Sequence, residues 1–327
     1  MNLLHTPRVA GVAGALTAAL VLAGCGSSAG SSSGAPEAGE DSVASGVDLS
    51  GVQITIGSKE YTEQLVLGSI MVQALRAAGA DVVDQTGLTG TKVARAALES
   101  GEIDAYYEYT GTAWLTILQN TEPIPDPEKL FEAVRTAEAE NDISWFSLAS
   151  FNDTYALVAG PDAAKRTGVT TISEYAALAN EDPQAARLCA SAEFTTREDG
   201  LPGLEAAYGF DLPASELVRT EQAISLTALA QDKLCNFSYA TSTDASIESF
   251  HLTLLEDDKS FFPIYNPAVS MRTEIYNANQ DAFDKLFDAI SAELTQETIT
   301  RLNAEVEIDG VPVEIVAERF LTDSGII

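Results

Sequence analysis

The residues best able to do chemistry in this chain are few, and they suit holding a molecule better than changing one. Tyr106-Tyr107-Glu108-Tyr109-Thr110-Gly111-Thr112 sets three tyrosines within four residues, in a sequence with 10 tyrosines in all. The run closes a strand-like segment, and strand alternation sends Tyr107 and Tyr109 to one side and Tyr106 to the other. Rings so placed ordinarily fill a core. Tyr106 and Tyr107 are read that way, which leaves Tyr109 at the strand end. Lys59, within Gly57-Ser58-Lys59-Glu60-Tyr61-Thr62-Glu63-Gln64, stands where a first strand gives way to a first helix. A lysine beside a helix N-terminus favours an anion, because both are positive. A lysine that merely faces solvent is the other reading of that position. Catalytic signatures are poor: of 2 histidines, His5 lies in a leader-like start and His251 in a polar, loop-like stretch. There is no Cys/His cluster with metal-ligand spacing, no Gly-x-Ser-x-Gly elbow and no phosphate-cradling P-loop. The carboxylates are scattered as over a solvated face. No catalytic residue, metal or cofactor is expected.

The elements that must position these residues alternate. Val52–Gly57 reads as a strand and Thr62–Gly79 as a helix closing at a glycine. Asp81–Gln85, Thr91–Gly101 and Ile103–Glu108 continue as strand, helix and strand. This βαβαβ grammar is that of a parallel sheet covered by helices. It recurs with helix Ile172–Leu178, strand Arg187–Ala192, helix Gly203–Tyr208, helix Glu221–Gln231 and strand Leu234–Tyr239. Gln280–Leu302 reads as one long helix and Val313–Leu321 as the last. Two α/β lobes follow, with the strand-like segments Thr154–Ala159 and Phe261–Tyr265 between them as crossings. A cleft between lobes is the default ligand site of such an architecture.

The N-terminus sets the compartment. Arg8 and His5 give a weakly basic start, and an acid-free apolar stretch runs from Val9 to Leu22. At about 14 residues it is shorter than the roughly 20 a membrane-spanning helix needs, and fits a cleavable signal core. It ends in Leu22-Ala23-Gly24-Cys25, which resembles the bacterial lipobox. The expectation is a signal peptide over 1–24 and a lipidated Cys25. A flexible Gly/Ser-rich tether follows over 25–49, with residues 26–46 holding almost nothing that packs. The protein is therefore expected outside the cytoplasm, held to the cell membrane by lipid. Net charge is −31, from 49 acidic and 18 basic residues, which argues against nucleic acid as a partner. Cys189 and Cys235 form an even pair in an exported chain, so a disulfide between them is expected, two buried free thiols being the alternative.

The resemblance to a known family rests on motifs in order over roughly residues 50–325. They are Gly57-Ser58-Lys59 with Thr62-Glu63-Gln64, Gly87-Leu88-Thr89-Gly90-Thr91, Glu108-Tyr109-Thr110-Gly111-Thr112 and Asp153-Thr154-Tyr155-Ala156-Leu157. Arg197-Glu198-Asp199-Gly200-Leu201-Pro202, Tyr239 before Thr241-Ser242-Thr243-Asp244, and Leu255-Glu256-Asp257-Asp258-Lys259 leading to Pro263-Ile264-Tyr265 complete them. The chain resembles the substrate-binding proteins of ABC importers for quaternary ammonium compounds, namely glycine betaine, proline betaine, carnitine and choline. The resemblance implies a two-lobed periplasmic-binding-protein-like fold of type II, with two parallel-sheet-rich lobes joined by two crossing segments. Residues 50–152 with 264–327 would form the first lobe and 153–263 the second. It implies an ammonium cage of Tyr109, Tyr155, Tyr239 and Tyr265, completed by the backbone at Asp153. Lys59, Thr112 and Arg197 would hold the ligand carboxylate, and the partners would be an ABC permease and a small quaternary ammonium solute.

Elementary chemistry agrees with that assignment. A quaternary ammonium has no N–H to donate, so it is held by the negative faces of aromatic rings, a desolvated contact contributing on the order of 2 kcal/mol. Arginine offers a carboxylate a planar fork and lysine a point charge. With Lys59 and Arg197 near a Thr112 hydroxyl, carboxylate-bearing betaines are expected over choline. Two other readings remain: the same scaffold binding another small solute such as an amino acid or organic anion, and an exported carboxylate-based hydrolase. The first would place carboxylates in the cleft for an ammonium bearing N–H. The second would need two acidic residues facing one another.

Overall fold

The computed structural model describes residues 38–327. The signal segment 1–24 and Cys25 lie outside the described residues. Ten strands run in chain order: β1 (Gln53–Lys59), β2 (Asp81–Leu88), β3 (Ala105–Tyr109), β4 (Ile143–Phe146), β5 (Tyr155–Ala159), β6 (Leu188–Ala190), β7 (Leu217–Arg219), β8 (Phe237–Thr241), β9 (Thr253–Leu254) and β10 (Pro267–Arg272). They form two five-stranded sheets, in the orders β2-β1-β3-β10-β4 and β7-β6-β8-β5-β9.

The two sheets share one plan. In the first, β2, β1 and β3 are parallel, and β10 runs antiparallel between β3 and β4. In the second, β7, β6 and β8 are parallel, and β5 runs antiparallel between β8 and β9. The α/β architecture of two sheet-centred lobes therefore stands, and each sheet is mixed. The antiparallel strand is in both cases the one on which the chain arrives from the other sheet. Thr154–Ala159 is thus not itself a crossing: its side chains Leu157 and Val158 are fully buried, one on each face of the second sheet. The chain passes over in the residues just before β5, and returns through 255–266 into β10.

Helices cover both faces of each sheet, and apolar residues pack there. Tyr107 and Tyr109 join the core under helix Thr62–Ala77, while Tyr106 joins the opposite one with Trp145 and Leu130, as strand alternation requires. Gly101 and Gly209 adopt left-handed conformations that end helices Thr91–Ser100 and Leu201–Tyr208.

Three further sequence expectations need correction. The expected single helix Gln280–Leu302 is two, Gln280–Glu293 and Gln296–Glu307, because Thr295 caps the second by accepting from the Thr298 N–H at 3.2 Å. The expected strand Leu234–Tyr239 starts later, at Phe237, since Leu234 has φ +62° and points out exposed. The tether expected to Leu49 is shorter. Ala44, Val47 and Leu49 are buried in the first lobe's core, and Val43 and Ala44 donate backbone bonds to Gly325 and Ile326. Burying those apolar side chains outweighs the freedom of a coil. Cys189, in β6, and Cys235, just before β8, form a disulfide with Cα atoms 5.7 Å apart. Among the described residues no helix is long and apolar enough to cross a membrane.

Candidate functional site

The carboxyl ends of the parallel strands in both sheets open onto one cleft of about 1440 Å³. This is where open α/β sheets place ligands. Lys59, Thr112, Asp153, Tyr155, Arg197, Tyr239 and Tyr265 all line it. The β-sheet register explains the convergence: Lys59 ends β1, Thr112 follows β3, Tyr155 begins β5 and Tyr239 sits within β8 beside it.

One wall is aromatic. The Tyr155 ring lies 6.2 Å from Tyr239, 5.4 Å from Tyr265 and 5.2 Å from Phe194, each edge to face. Phe194 stacks on Tyr239 at 4.7 Å. Phe194 and Phe262, the latter 6.0 Å from Tyr155, buttress the wall and were not expected from sequence. The Tyr265 hydroxyl donates to Asp199 Oδ2 at 2.8 Å, which fixes that ring. Gly111 is needed for the approach, since a Cβ there would meet the Ile264 carbonyl at 2.3 Å and the Tyr265 ring at 2.8 Å. Burial raises the phenols of Tyr155 and Tyr239, so the wall is uncharged at neutral pH.

Tyr109 stands apart from the other three. It is 2% exposed, its hydroxyl donates to Glu63 Oε1 at 2.7 Å, and Lys59 Nζ sits 5.1 Å from its ring centroid. It therefore lies beneath the cleft surface, its ring face already facing a cation. Tyr61, which the sequence reading passed over, lines the cleft itself.

The opposite wall is charged, and its charges are already paired. Lys59 Nζ lies 2.7 Å from Glu108 Oε1, with both side chains buried. Glu108 also accepts from the Tyr106 hydroxyl at 3.0 Å and the Tyr109 N–H at 2.7 Å. Arg197 donates through Nε to Asp199 Oδ1 at 2.7 Å and through Nη2 to Asp199 Oδ2. Its Nη1 donates to Glu193 Oε1 at 2.9 Å, and Nη2 reaches Thr112 Oγ1 at 3.4 Å. The Arg197 guanidinium also lies 5.7 Å from the Tyr155 ring centroid, so it borders both walls. Glu193 in turn accepts from the Thr91 hydroxyl at 2.6 Å and the Thr91 N–H at 3.3 Å, at the start of helix Thr91–Ser100. Partial burial alone would raise the Glu193 carboxyl. The charges of Lys59 and Arg197 outweigh it and, with the Thr91 hydroxyl, bring it down to about 2.

None of these carboxylates was singled out from sequence, though a signal existed. Ile56 pairs with Ala105 across parallel β1 and β3. Extending that register by three residues sets Lys59 opposite Glu108, opposite charges at the ends of two buried strands.

A third group lines the hinge side. Asp153 donates its backbone N–H to the Tyr265 carbonyl at 3.0 Å, and its carboxylate accepts from the Thr243 hydroxyl at 2.6 Å. Glu63 accepts from Tyr109 and, at 3.0 Å, from Asn303 Nδ2. Burial raises both carboxyls above their ordinary range, and for Asp153 the neighbouring Glu63 adds to it. No cluster of His, Cys, Asp or Glu suited to a metal occurs among the described residues.

The cleft can thus take a small solute with a cation-like end against rings and a polar end against Lys59, Arg197 and Thr112. Comparison with known proteins agrees in kind. The family described as the substrate binding domain of ABC-type glycine betaine transport system matches residues 52–323. The glycine-betaine-binding protein of Pseudomonas aeruginosa is 33% identical over 275 residues, 83% of this chain and 87% of that protein. The ergothioneine transport permease/ergothioneine binding protein EgtU of Helicobacter pylori is 31% identical over 276 residues, 84% of this chain and 48% of that protein. Among solved structures, apo YehZ from Escherichia coli aligns with a TM-score of 0.60 at 29% identity, over 84% of this chain and 99% of that one.

Proposed function

From the premise that this chain belongs to the family of substrate-binding domains of ABC-type glycine betaine transport systems, we propose that it captures glycine betaine or a related quaternary ammonium solute between its lobes and delivers it to an importer. It is a binding protein and not an enzyme. The observation that carries the ligand assignment is the convergence of Tyr155, Tyr239 and Tyr265 on one cleft wall, with buried Phe194 packed behind them. Ring faces attract a cation without asking it for a hydrogen bond. Tyr109 lies apart from this wall, beneath the cleft surface, against Lys59 and Glu63. Lys59, Arg197 and Thr112 receive the ligand carboxylate. Residues 44–152 with 264–327 form one lobe and 153–263 the other, closing on the solute. Cys25 carries the lipid that holds the body at the cell membrane, beside the permease that receives the cargo.

One observation favours a second reading, a primary-ammonium solute such as an amino acid. Glu63 and Asp153 are carboxyls at the cleft, where an N–H-bearing ammonium would want acceptors. Their oxygens already accept from Tyr109, Asn303 and Thr243, and burial favours their neutral forms, so the quaternary ammonium remains the better fit.

Titration calorimetry of the full chain separates the two. Glycine betaine, proline betaine, carnitine, choline and ergothioneine, itself a trimethylammonium betaine, form one panel, and unmethylated glycine and proline the other. Micromolar binding, roughly 8 kcal/mol, is expected within the first panel. Heat only with the second panel would establish the amino-acid reading, and no heat with either would end both.

A further inference from the structure

Glu193 belongs to neither motif nor cage, yet it lines the cleft and bridges residues of both lobes. Its carboxylate takes three donors at once: the Thr91 hydroxyl at 2.6 Å, the Thr91 N–H at 3.3 Å and Arg197 Nη1 at 2.9 Å. Thr91 comes from the first lobe's helix Thr91–Ser100, while Glu193 follows β6 of the second. Gly90 permits the approach, with φ +78° and space in which a Cβ would meet Glu193 Oε2 at 3.0 Å. These donors are the chemistry a free carboxylate would seek: a helix N-terminus, a hydroxyl and a guanidinium.

The neighbouring cations offer little surplus. Lys59 is compensated by Glu108, and two edges of the Arg197 fork are taken by Asp199. The Nη1 corner of Arg197 is the one directed elsewhere, and Glu193 holds it. Among the ion-paired groups at the proposed carboxylate end, two cations therefore meet three carboxylates, and the other charged residues lining the cleft nearby, Lys92, Glu60 and Glu198, add one cation and two carboxylates. A ligand bringing a further carboxylate adds a like charge, whereas one without adds none.

We propose that Glu193 sets ligand selectivity by acting as a built-in competitor for the carboxylate subsite, weakening capture of zwitterionic betaines relative to cationic choline. The inference rests on reading the cleft as a quaternary ammonium site. Because the competing carboxylate belongs to the protein and also ties Thr91 to Arg197, the cleft gives up some betaine affinity in exchange for a link across its mouth. The preference for carboxylate-bearing ligands drawn from Lys59 and Arg197 alone is thereby reduced.

The test compares glycine betaine and choline, which share the trimethylammonium head, on the full chain by calorimetry. Glu193→Gln keeps the shape and one acceptor for Thr91 while removing the charge. The expected result is glycine betaine binding tighter by about tenfold, and choline weaker by about twofold to threefold, since one charge acts on the two ligands with opposite sign. Glu193→Ala should move the ratio the same way, with a further loss common to both ligands if the cross-cleft link aids closure. Thermal unfolding of each variant shows that the fold is retained. A ratio that stays constant while both affinities change would assign Glu193 a purely structural part and overturn the inference, as would weaker betaine binding with choline unaffected. Absence of binding by the unsubstituted protein to these two ligands and to proline betaine, carnitine and ergothioneine would instead end the quaternary ammonium reading itself.

Discussion

The two walls of the cleft solve opposite problems. On the aromatic wall, Tyr155, Tyr239, Tyr265 and Phe194 hold one another by edge and face contacts of 4.7 to 6.2 Å. The three tyrosines line the cleft and present their chemistry, the rings, without charge, while Phe194 is buried behind them. On the charged wall, Lys59 and Arg197 hold nothing in reserve, because Glu108, Asp199 and Glu193 already take them. Ring faces stay available while the rings pack; a buried cation does not stay unpaired, since desolvating a lone charge is costly. An aromatic wall can thus be read from residue type, whereas the charge of a polar wall depends on partners brought from elsewhere in the chain.

The strongest way to break this contrast is to remove a cation. Lys59→Met leaves Glu108 buried without its counter-charge, and the expected loss of folding stability is about 3–5 kcal/mol. Pairing it with Glu108→Gln should restore most of that loss, measured by chemical denaturation. A single substitution as mild as a surface lysine change would mean that Glu108 is compensated some other way. The aromatic wall should respond in affinity instead. Tyr155→Ala or Tyr239→Ala is expected to weaken glycine betaine by about thirtyfold, the equivalent of one desolvated cation–π contact of about 2 kcal/mol. Tyr155→Phe should stay within a few fold. Equal losses for Ala and Phe would show that the hydroxyl, and not the ring face, does the binding.

Tyr109 tests where the aromatic wall ends. Its hydroxyl donates to buried Glu63, so Tyr109→Phe strands a carboxyl oxygen and should cost about 1–3 kcal/mol of stability. Tyr265→Phe should behave similarly through Asp199, while Tyr155→Phe leaves the melting temperature nearly unchanged. If Tyr109→Phe is instead neutral for stability but weakens ligand binding, the ring belongs to the cage surface after all.

Much of this was legible from sequence because it was local. Period-two and helical patterns marked most strands and helices of both lobes, and glycines at left-handed positions marked helix ends. The break at Thr295 was hidden inside continuous amphipathic periodicity, since Leu294 and Ile299 both face the core across it. β10 and β4 were missed because Pro267–Arg272 and Ile143–Phe146 carry no helix-strand alternation; their place follows from antiparallel pairing of β10 to a distant β3 and of β4 to β10. The tyrosines stood out as a rare type. Glu193 did not, for it is one acid among 49 acidic residues, and only the folded chain sets Thr91 against it.

The smallest expected effect separates the carboxyls of the charged wall from those at the hinge by the sign of their pH dependence. The Glu193 carboxyl falls from 4.5 to about 2 on folding, so the unfolded chain binds more protons than the native one between those values. Its contribution is whole above pH 4.5 and is lost as pH falls through about 2. Glu63 and Asp153 shift the other way, both by burial, with the charges of Glu63 and Asp244 adding to Asp153. The native state holds their protons where the unfolded chain has released them, so their contribution is whole below the ordinary carboxylate range and declines as pH rises above it. Denaturation midpoints followed from pH 3 to pH 8 should therefore fall at the acid end less steeply in Glu193→Gln, and decline less on the alkaline side in Asp153→Asn. Because Glu193 is 32% exposed, its effect is screened and should be the weaker of the two. Identical profiles for Asp153→Asn and the unsubstituted protein would mean that Asp153 is ionised at the hinge, which would turn that side of the cleft into a third, anionic wall and reopen it to a primary ammonium.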